Sequence, residues 1–292
     1  MFSFSKESVA AMLLAIDIGN TQTVIGVFDK NDLRHMWRLA TNKTDTSDEL
    51  RLKAKPLLES EGVDVAHVDG SIVASVVPAL TTSWSRALAT MLGSEPLLCS
   101  AAASGGLFEA SYDHPAEIGA DRVADAVAAR AIYGAPVIVV DFGTATNLEV
   151  IDDQGKFVGG IIAPGLETSA AALFSHATKL PTIDLVDPGS AIGKNTVHAM
   201  QSGIVYGEAD RVDGFVRRVF AELGYEAPVV ATGGLATTMA PLCATVTHVN
   251  PELTLEGLRL IYEANAWGKP ETPTGSLQRA FHPSRPAYWA LQ

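Results

Sequence analysis

The sequence predicts an α/β protein made of two related halves, each a mixed sheet flanked by helices. Three observations carry that expectation. A strand, an aspartate, a small polar turn and a second strand occur twice, as LLAIDIGNTQTVIGVFD at 13–29 and VIVVDFGTATNLEVIDD at 137–153. Aligned without gaps, Asp17 falls on Asp141, Gly19 on Gly143 and Asn20 on Thr144. The residues before each aspartate are continuously apolar, as in a strand buried on both faces. Strand-length and helix-length patterns then alternate along the chain, which is the signature of a mixed α/β fold.

Taken in order, 13–29 reads as two strands joined by a turn, with a third strand near 33–39. Asp45 or Ser47 is expected to cap a helix through Leu50, Leu52, Leu57 and Leu58, kinked or broken at Pro56. Ser71–Val77 is a short buried strand stopped by Pro78, 83–92 an amphipathic helix with Trp84, Leu88 and Met91, and 97–99 a brief strand. The first half therefore reads β-β-β-α-β-α-β. Residues 100–118 are small and irregular, a loop or joint before a helix opened by Gly119-Ala120-Asp121-Arg122. After the second strand pair come a strand at 157–162 and a helix near 168–179. A long helix follows, N-capped by Asn195, with an inner face from Val197 to Val219. A strand at 229–231 closes on Thr232-Gly233-Gly234, and 255–267 is the last helix. The expected division is a lead at 1–11, domains at 12–118 and 119–267, and a proline-rich tail at 268–292 that is disordered or lies over the surface.

Composition narrows the function. The chain has 292 residues, 47% hydrophobic and 18% charged, an ordinary globular balance. Its net charge of -12, from 33 acids and 21 bases, would repel a nucleic-acid backbone. An anionic substrate then needs backbone N–H groups, a metal ion or a local arginine. No apolar run approaches the roughly 20 residues that span a membrane. Cys99 and Cys243 form no CxxC pair, as expected of free thiols in a reducing cytoplasm. The scattered histidines give no metal-binding spacing.

The chemistry is expected at the two turns. Gly19 lets a ligand approach the backbone, and successive N–H groups of a turn cradle an anion. Asn20, Thr21 and Thr23 add donors, while Asp17 must act on a phosphate through Mg²⁺ or its waters. Either copy alone reads better as a polar hairpin turn; the repetition points to two halves clasping one phosphate ligand. Two such turns with the Gly233-Gly234 corner match the layout of actin-like ATPases. No GxxxxGK[ST] or helix-opening GxGxxG is present, which removes the P-loop and dinucleotide alternatives. Asp121 is the candidate general base. The helix N-terminus and Arg122 beside it are expected to favour its ionised form. Read from those residues alone, Asp121 is a helix cap and Arg122 lies on a solvated face.

The motifs then become specific. DIGNTQT at 17–23, YDHPAEIGADR at 112–122, DFGTATN at 141–147, GGIIAPG at 159–165, IGKNTVHAMQSG at 192–203 and ATGG at 231–234 resemble type III pantothenate kinase. The resemblance covers roughly 12–265. It implies duplicated actin-like (ribonuclease H-like) domains and ATP-dependent phosphorylation of pantothenate, the first step of coenzyme A synthesis. It further implies that Asp17, Ile18, Gly19, Asn20, Thr21, Gln22, Thr23 and Val24 hold ATP and Mg²⁺, that Thr144 contacts the nucleotide, and that Asp121 accepts the proton. Tyr112, Gly119, Ala120, Asp121, Arg122 and Thr196 would bind pantothenate. Asp141 would ligate a monovalent cation, K⁺ or NH₄⁺. The implied assembly is a cytoplasmic homodimer with the pantothenate pocket at its interface. Asn147 and His114 depart from the family, which usually has a threonine or other small residue and an asparagine there. A nucleotide-binding accessory protein without catalysis, or an actin-like kinase of another polyol, are the alternative readings.

Overall fold

The computed structural model describes residues 12–176 and 180–266. The lead at 1–11 and the tail at 268–292 lie outside the described residues. The chain forms two compact units. Unit 1 gathers the described residues of 12–107, 118–124 and 255–266; unit 2 gathers 108–117 and 125–254.

Unit 1 opens with β1 (Met12–Ile18), β2 (Gln22–Asp29) and β3 (Asp32–Ala40). Then come α1 (Ser47–Ser60), β4 (Val68–Ser75), α2 (Pro78–Leu92) and β5 (Leu97–Leu98). The β-β-β-α-β-α-β order is the one the sequence predicts. The strands lie as β3-β2-β1-β4-β5. β1 pairs antiparallel with β2 and parallel with β4. Leu14, Ile16 and Ile18 point to one face, where they meet Leu50, Ala54 and Leu58 of α1 and Leu80, Trp84 and Leu88 of α2. Each such side chain, fully buried, stabilises the fold by about 1.5–3 kcal/mol. Asp17, between Ile16 and Ile18, necessarily points to the opposite face.

Helix α3 (Ala120–Tyr133) precedes β6 (Val137–Phe142), β7 (Ala145–Ile151) and β8 (Phe157–Pro164). They are followed by α4 (Leu166–His176), α5 (Thr196–Gln201), α6 (Gly207–Leu223) and β9 (Val229–Thr232). The short α7 (Ala236–Met239), β10 (His248–Val249) and α8 (Leu253–Ala266) complete the described residues. The second sheet runs β8-β7-β6-β9-β10. In order of appearance within each sheet, both read 3-2-1-4-5, so the repeat seen in the turns extends to the topology. Ile138, Val140 and Phe142 pack against Val205, Val212 and Val216, again leaving the aspartate, Asp141, on the other face.

Several boundaries differ from expectation. The cap of α1 is Thr46, whose side chain accepts the Glu49 N–H while Glu49 reaches back to the Thr46 N–H, a reciprocal capping box. Pro56 does not break α1. Pro56 and Leu52, whose carbonyl loses its donor, are both exposed, so that carbonyl is open to solvent. Pro78 opens α2 as its first residue, where a missing N–H is harmless. The long helix after Asn195 is interrupted by a π-helical turn at Ser202–Tyr206.

Candidate active site

In unit 1 the first turn sits at the C-terminal end of β1. Its register pairs Ile18 with Thr23 and Asp17 with Val24, leaving Gly19 to Gln22 as the turn. The Gly19 N–H donates to the Gln22 carbonyl at 2.9 Å, and the Thr41 N–H donates to the Thr21 carbonyl at 2.8 Å. Thr23 and Thr41 share a hydroxyl hydrogen bond of 2.9 Å. Asn20, Thr21 and Gln22 are exposed, whereas Ile18 is wholly in the core. Ile18 therefore contributes backbone only, and its carbonyl already accepts the Val76 N–H at 3.1 Å. Lys43, which sequence reasoning missed, donates to Asn20 Oδ1 at 3.1 Å and brings a positive charge to this turn. Its loop is braced by Asp45, which takes hydrogen bonds from Asn42 Nδ2 at 2.9 Å and Lys53 Nζ at 2.5 Å. The β2–β3 hairpin, in which Gln22 pairs with Ala40, returns the chain to the turn just before Lys43.

Asp121 belongs to the same edge of unit 1. A Cβ on Gly119 would lie 3.7 Å from Val76 Cγ1, and Val76 follows the C-terminal end of β4. In open α/β sheets this is the edge where ligands bind. The Arg122 N–H donates to Asp121 Oδ1 at 2.8 Å. That oxygen folds back over Gly119, where a Cβ would come within 2.4 Å of it. Burial pushes the Asp121 carboxyl above the usual carboxylate range, against the Arg122 N–H and guanidinium, which pull it down. The expected direction was the reverse. The helix N-terminus and arginine act as anticipated, but loss of water around the carboxylate outweighs them. Arg122 is buried, Ala120 is at the buried end of α3, and Gly119 is half-buried.

In unit 2 the second turn is shorter by one residue. Phe142 pairs with Thr146 and Asp141 with Asn147, so only Gly143 to Ala145 turn. The Gly143 N–H donates to the Ala145 carbonyl at 3.0 Å. The Thr144 carbonyl accepts two donors, the Gly165 N–H at 3.0 Å and Thr168 Oγ1 at 2.6 Å. The Gly233 corner comes to the same place: a Cβ there would sit 2.1 Å from Asp141 Oδ1. The structure thus brings together Asp141, Thr144, the end of GGIIAPG and the ATGG corner.

The monovalent cation implied by the resemblance can be tested against these residues. Thr232 and Asn147 are the register partners of Asp141 on the two neighbouring strands, so all three side chains share one sheet face. Thr232 Oγ1 and Asn147 Oδ1 are buried oxygens without a hydrogen-bond partner among the described residues. One carboxylate beside two neutral oxygens is a donor set suited to a hard cation. No group of three or more His, Cys, Asp or Glu that could hold a metal occurs among the described residues. Asp17, near the C-terminal end of β1 beside the exposed turn, is a single carboxylate, and Mg²⁺ is usually held by one or two carboxylates with water and substrate phosphates.

Tyr112 and Thr196 are placed differently. Tyr112 is 40% exposed and meets the Phe157 ring edge-on at 5.8 Å. Phe157 starts β8, the far end of that strand from the Gly143 turn. Thr196 is exposed in the first turn of α5, after Asn195, whose side chain accepts the His198 N–H at 2.9 Å. Within unit 2 neither residue joins the Asp141 cluster. Cys99 and Cys243 are buried and form no disulfide with each other. Burial, with Asp213 and Glu208 nearby, pushes the Cys243 thiol up to about 12, so it is not a nucleophile.

Comparison with known proteins now decides the family. The family model for type III pantothenate kinase matches residues 13–218. The chain belongs to the type III pantothenate kinase family. It is 45% identical over 254 residues to the type III pantothenate kinase of Moorella thermoacetica, covering 87% of this chain and 100% of that protein. It is 48% identical over 254 residues to that of a Roseiflexus species, covering 87% and 99%. Among solved structures, component A of the Acidaminococcus fermentans (R)-2-hydroxyglutaryl-CoA dehydratase aligns with a TM-score of 0.53 at 15% identity, covering 87% and 99%; this likeness shows the fold alone. Family and topology agree on duplicated α/β units. No helix among the described residues is long and apolar enough to cross a membrane.

Proposed function

We propose that this protein transfers the γ-phosphoryl group of ATP to the primary hydroxyl of pantothenate, giving 4'-phosphopantothenate, the first step of coenzyme A synthesis. Membership of the family supports the substrate. The observation that carries the chemistry is Asp121, a carboxylate at a helix N-terminus on the C-terminal edge of the unit 1 sheet, with its proton affinity raised by burial. A base works best when its pKa approaches the operating pH, and desolvation moves Asp121 that way.

Asp121 accepts the hydroxyl proton as the oxygen bonds to the γ-phosphorus and the bond to the β-phosphate oxygen breaks, releasing ADP. The exposed Asn20–Gln22 segment of the first turn, with Lys43, receives phosphate oxygens. Asp17 would hold Mg²⁺ directly or through water, and Thr144 would contact the nucleotide. Mg²⁺, when bound, neutralises charge developing on the transferring phosphoryl group. Asp141 with Thr232 and Asn147 would hold K⁺ or NH₄⁺ beside the second turn. Gly119, Ala120 and Arg122 bind pantothenate, and the Arg122 guanidinium suits its carboxylate. Tyr112 and Thr196, both exposed, are open to substrate. A homodimer is part of the proposal, supported by large apolar side chains left exposed on unit 2, among them Ile192, Ile162 and Val186.

The test is Asp121→Asn, a near-isosteric change. It should fold, bind ATP, and lose turnover by about 10²–10⁴-fold, the usual contribution of a general base. Near-native turnover would remove Asp121 from this role.

A further inference from the structure

Behind the second turn lies a group of buried polar side chains that the proposed chemistry does not use. Thr146 is in β7, and its side chain points to the face opposite Asn147 and Asp141. There Thr146 Oγ1 donates to Glu208 Oε1 at 2.5 Å. Glu208 is in the first turn of α6 and only 3% exposed. Its other oxygen accepts from Arg211 Nη2. The same Arg211 nitrogen donates to the Pro164 carbonyl at 2.5 Å. Pro164 precedes Gly165, whose N–H, together with Thr168 Oγ1, holds the Thr144 carbonyl.

These bonds close a ring. It runs from the turn through Gly165 and Pro164 to Arg211, on to Glu208, and through Thr146 back to the turn. The Arg211–Glu208 link lies within α6, and the others join separate elements, so the ring ties β7, the β8–α4 corner and α6 together. The consequence for the turn follows from peptide geometry. A trans peptide points its N–H opposite to its C=O. With the Thr144 carbonyl fixed toward Gly165 and Thr168, the Ala145 N–H is fixed in the direction away from them. An anion cradle depends on the directions of its N–H groups.

A purely structural role would not call for these groups. A buried ion pair is often no more stabilising than apolar side chains of the same volume, and burial here raises the Glu208 carboxyl above the usual carboxylate range. What a directional pair supplies is a fixed geometry.

We infer that Glu208, Arg211 and Thr146 are positioning residues that set the phosphate-accepting shape of the Gly143–Ala145 turn. This rests on reading that turn as a nucleotide site. The ring acts on nucleotide, not on pantothenate, and its loss appears in one substrate only.

The experiment compares Thr146→Val, Thr146→Ser and Glu208→Gln in the full chain. Calorimetric ADP affinity, the KM values for ATP and pantothenate, and Tm are measured for each. Thr146→Val and Glu208→Gln should weaken ADP binding and raise KM for ATP about tenfold, with KM for pantothenate unchanged. Thr146→Ser restores the hydroxyl and should stay within about twofold of wild type. If one of the two disruptive variants fails to fold, the other carries the test. The inference is overturned if ADP affinity stays within twofold of wild type whatever happens to Tm. It is equally overturned if both KM values rise together, or if serine does not rescue. Gly165→Ala, measured alongside, separates the two levels. Weakened ADP binding in that variant alone would sink only the positioning role. Unchanged binding in every variant would sink the assignment of the turn to nucleotide as well.

Discussion

Gly165→Ala offers the most direct perturbation of the second turn, because its effect can be worked from three distances. A Cβ at 165 would lie 2.2 Å from the Gly143 carbonyl oxygen, 2.7 Å from that of Thr144 and 2.9 Å from the Thr144 carbonyl carbon. All three are backbone atoms, so no side-chain rotation relieves the clash. A carbon and a carbonyl oxygen settle at about 3.3 Å or more, so the turn must retreat by roughly 1 Å. Overpacking of this kind costs about 1–3 kcal/mol of stability. A displacement of roughly 1 Å at a reacting site costs about 10²-fold in rate. The matched control is Gly214→Ala in α6, where a new Cβ meets nothing within 4 Å. Alanine there should stabilise the helix by about 0.5–1 kcal/mol. Initial rates of ADP release at varied ATP and saturating pantothenate read the first effect, and thermal melts read both. Gly165→Ala should lower kcat/KM for ATP by about 10²-fold, while Gly214→Ala keeps it. A Gly165→Ala enzyme within threefold of wild type would refute the argument that this corner shapes the nucleotide turn.

Three further outcomes follow from the site. Because burial raises the Asp121 carboxyl, the acid limb of kcat/KM should fall above the usual carboxylate range, and activity should rise as pH increases through it. The linked stability has the opposite sign. A carboxyl raised on folding stabilises the protein below its unfolded pKa, and this is lost as pH rises through the folded value. Asp121→Asn should therefore melt above wild type by a few degrees near pH 8, with the difference vanishing in acid; equal melting at both pH values would contradict it. Thr232→Val removes one orphaned oxygen beside Asp141 and keeps the shape. The rise in Tm on adding K⁺ should shrink, and half-saturation by K⁺ should move up several-fold; an unchanged K⁺ shift would take Thr232 out of the cation site.

The parts of this protein legible in its sequence are those written in local periodicity. The continuous apolar runs before Asp17 and Asp141 gave strands buried on both faces, and the strand–helix alternation of the first half emerged in the observed order. The Gly143 turn, Gly165 and the Gly233 corner could each be seen as glycine-marked bends. That Gly165 and Gly233 close on the Gly143 turn could not, because that closeness is made by pairing across distant strands. Glu208 and Arg211 carry no local mark of a special role in the sequence; Glu208 is buried only once the helix packs, where it meets Thr146 of β7. Asp121 was correctly set at a helix N-terminus, yet its burial, which reverses its proton affinity, depends on chain folded over it from elsewhere. Thr46 was missed as a cap between two equally plausible neighbours, although Thr46 and Glu49 carry the capping-box spacing. The return of 118–124 and 255–266 to unit 1 has no local signature at all.

The measurement that bears most directly on the whole account is product analysis of the purified protein with ATP, Mg²⁺ and pantothenate, with and without K⁺. The account predicts ADP and 4'-phosphopantothenate in equal amounts, dependent on the monovalent cation. ADP released without phosphorylated pantothenate, or a hexose phosphorylated in its place, would contradict it.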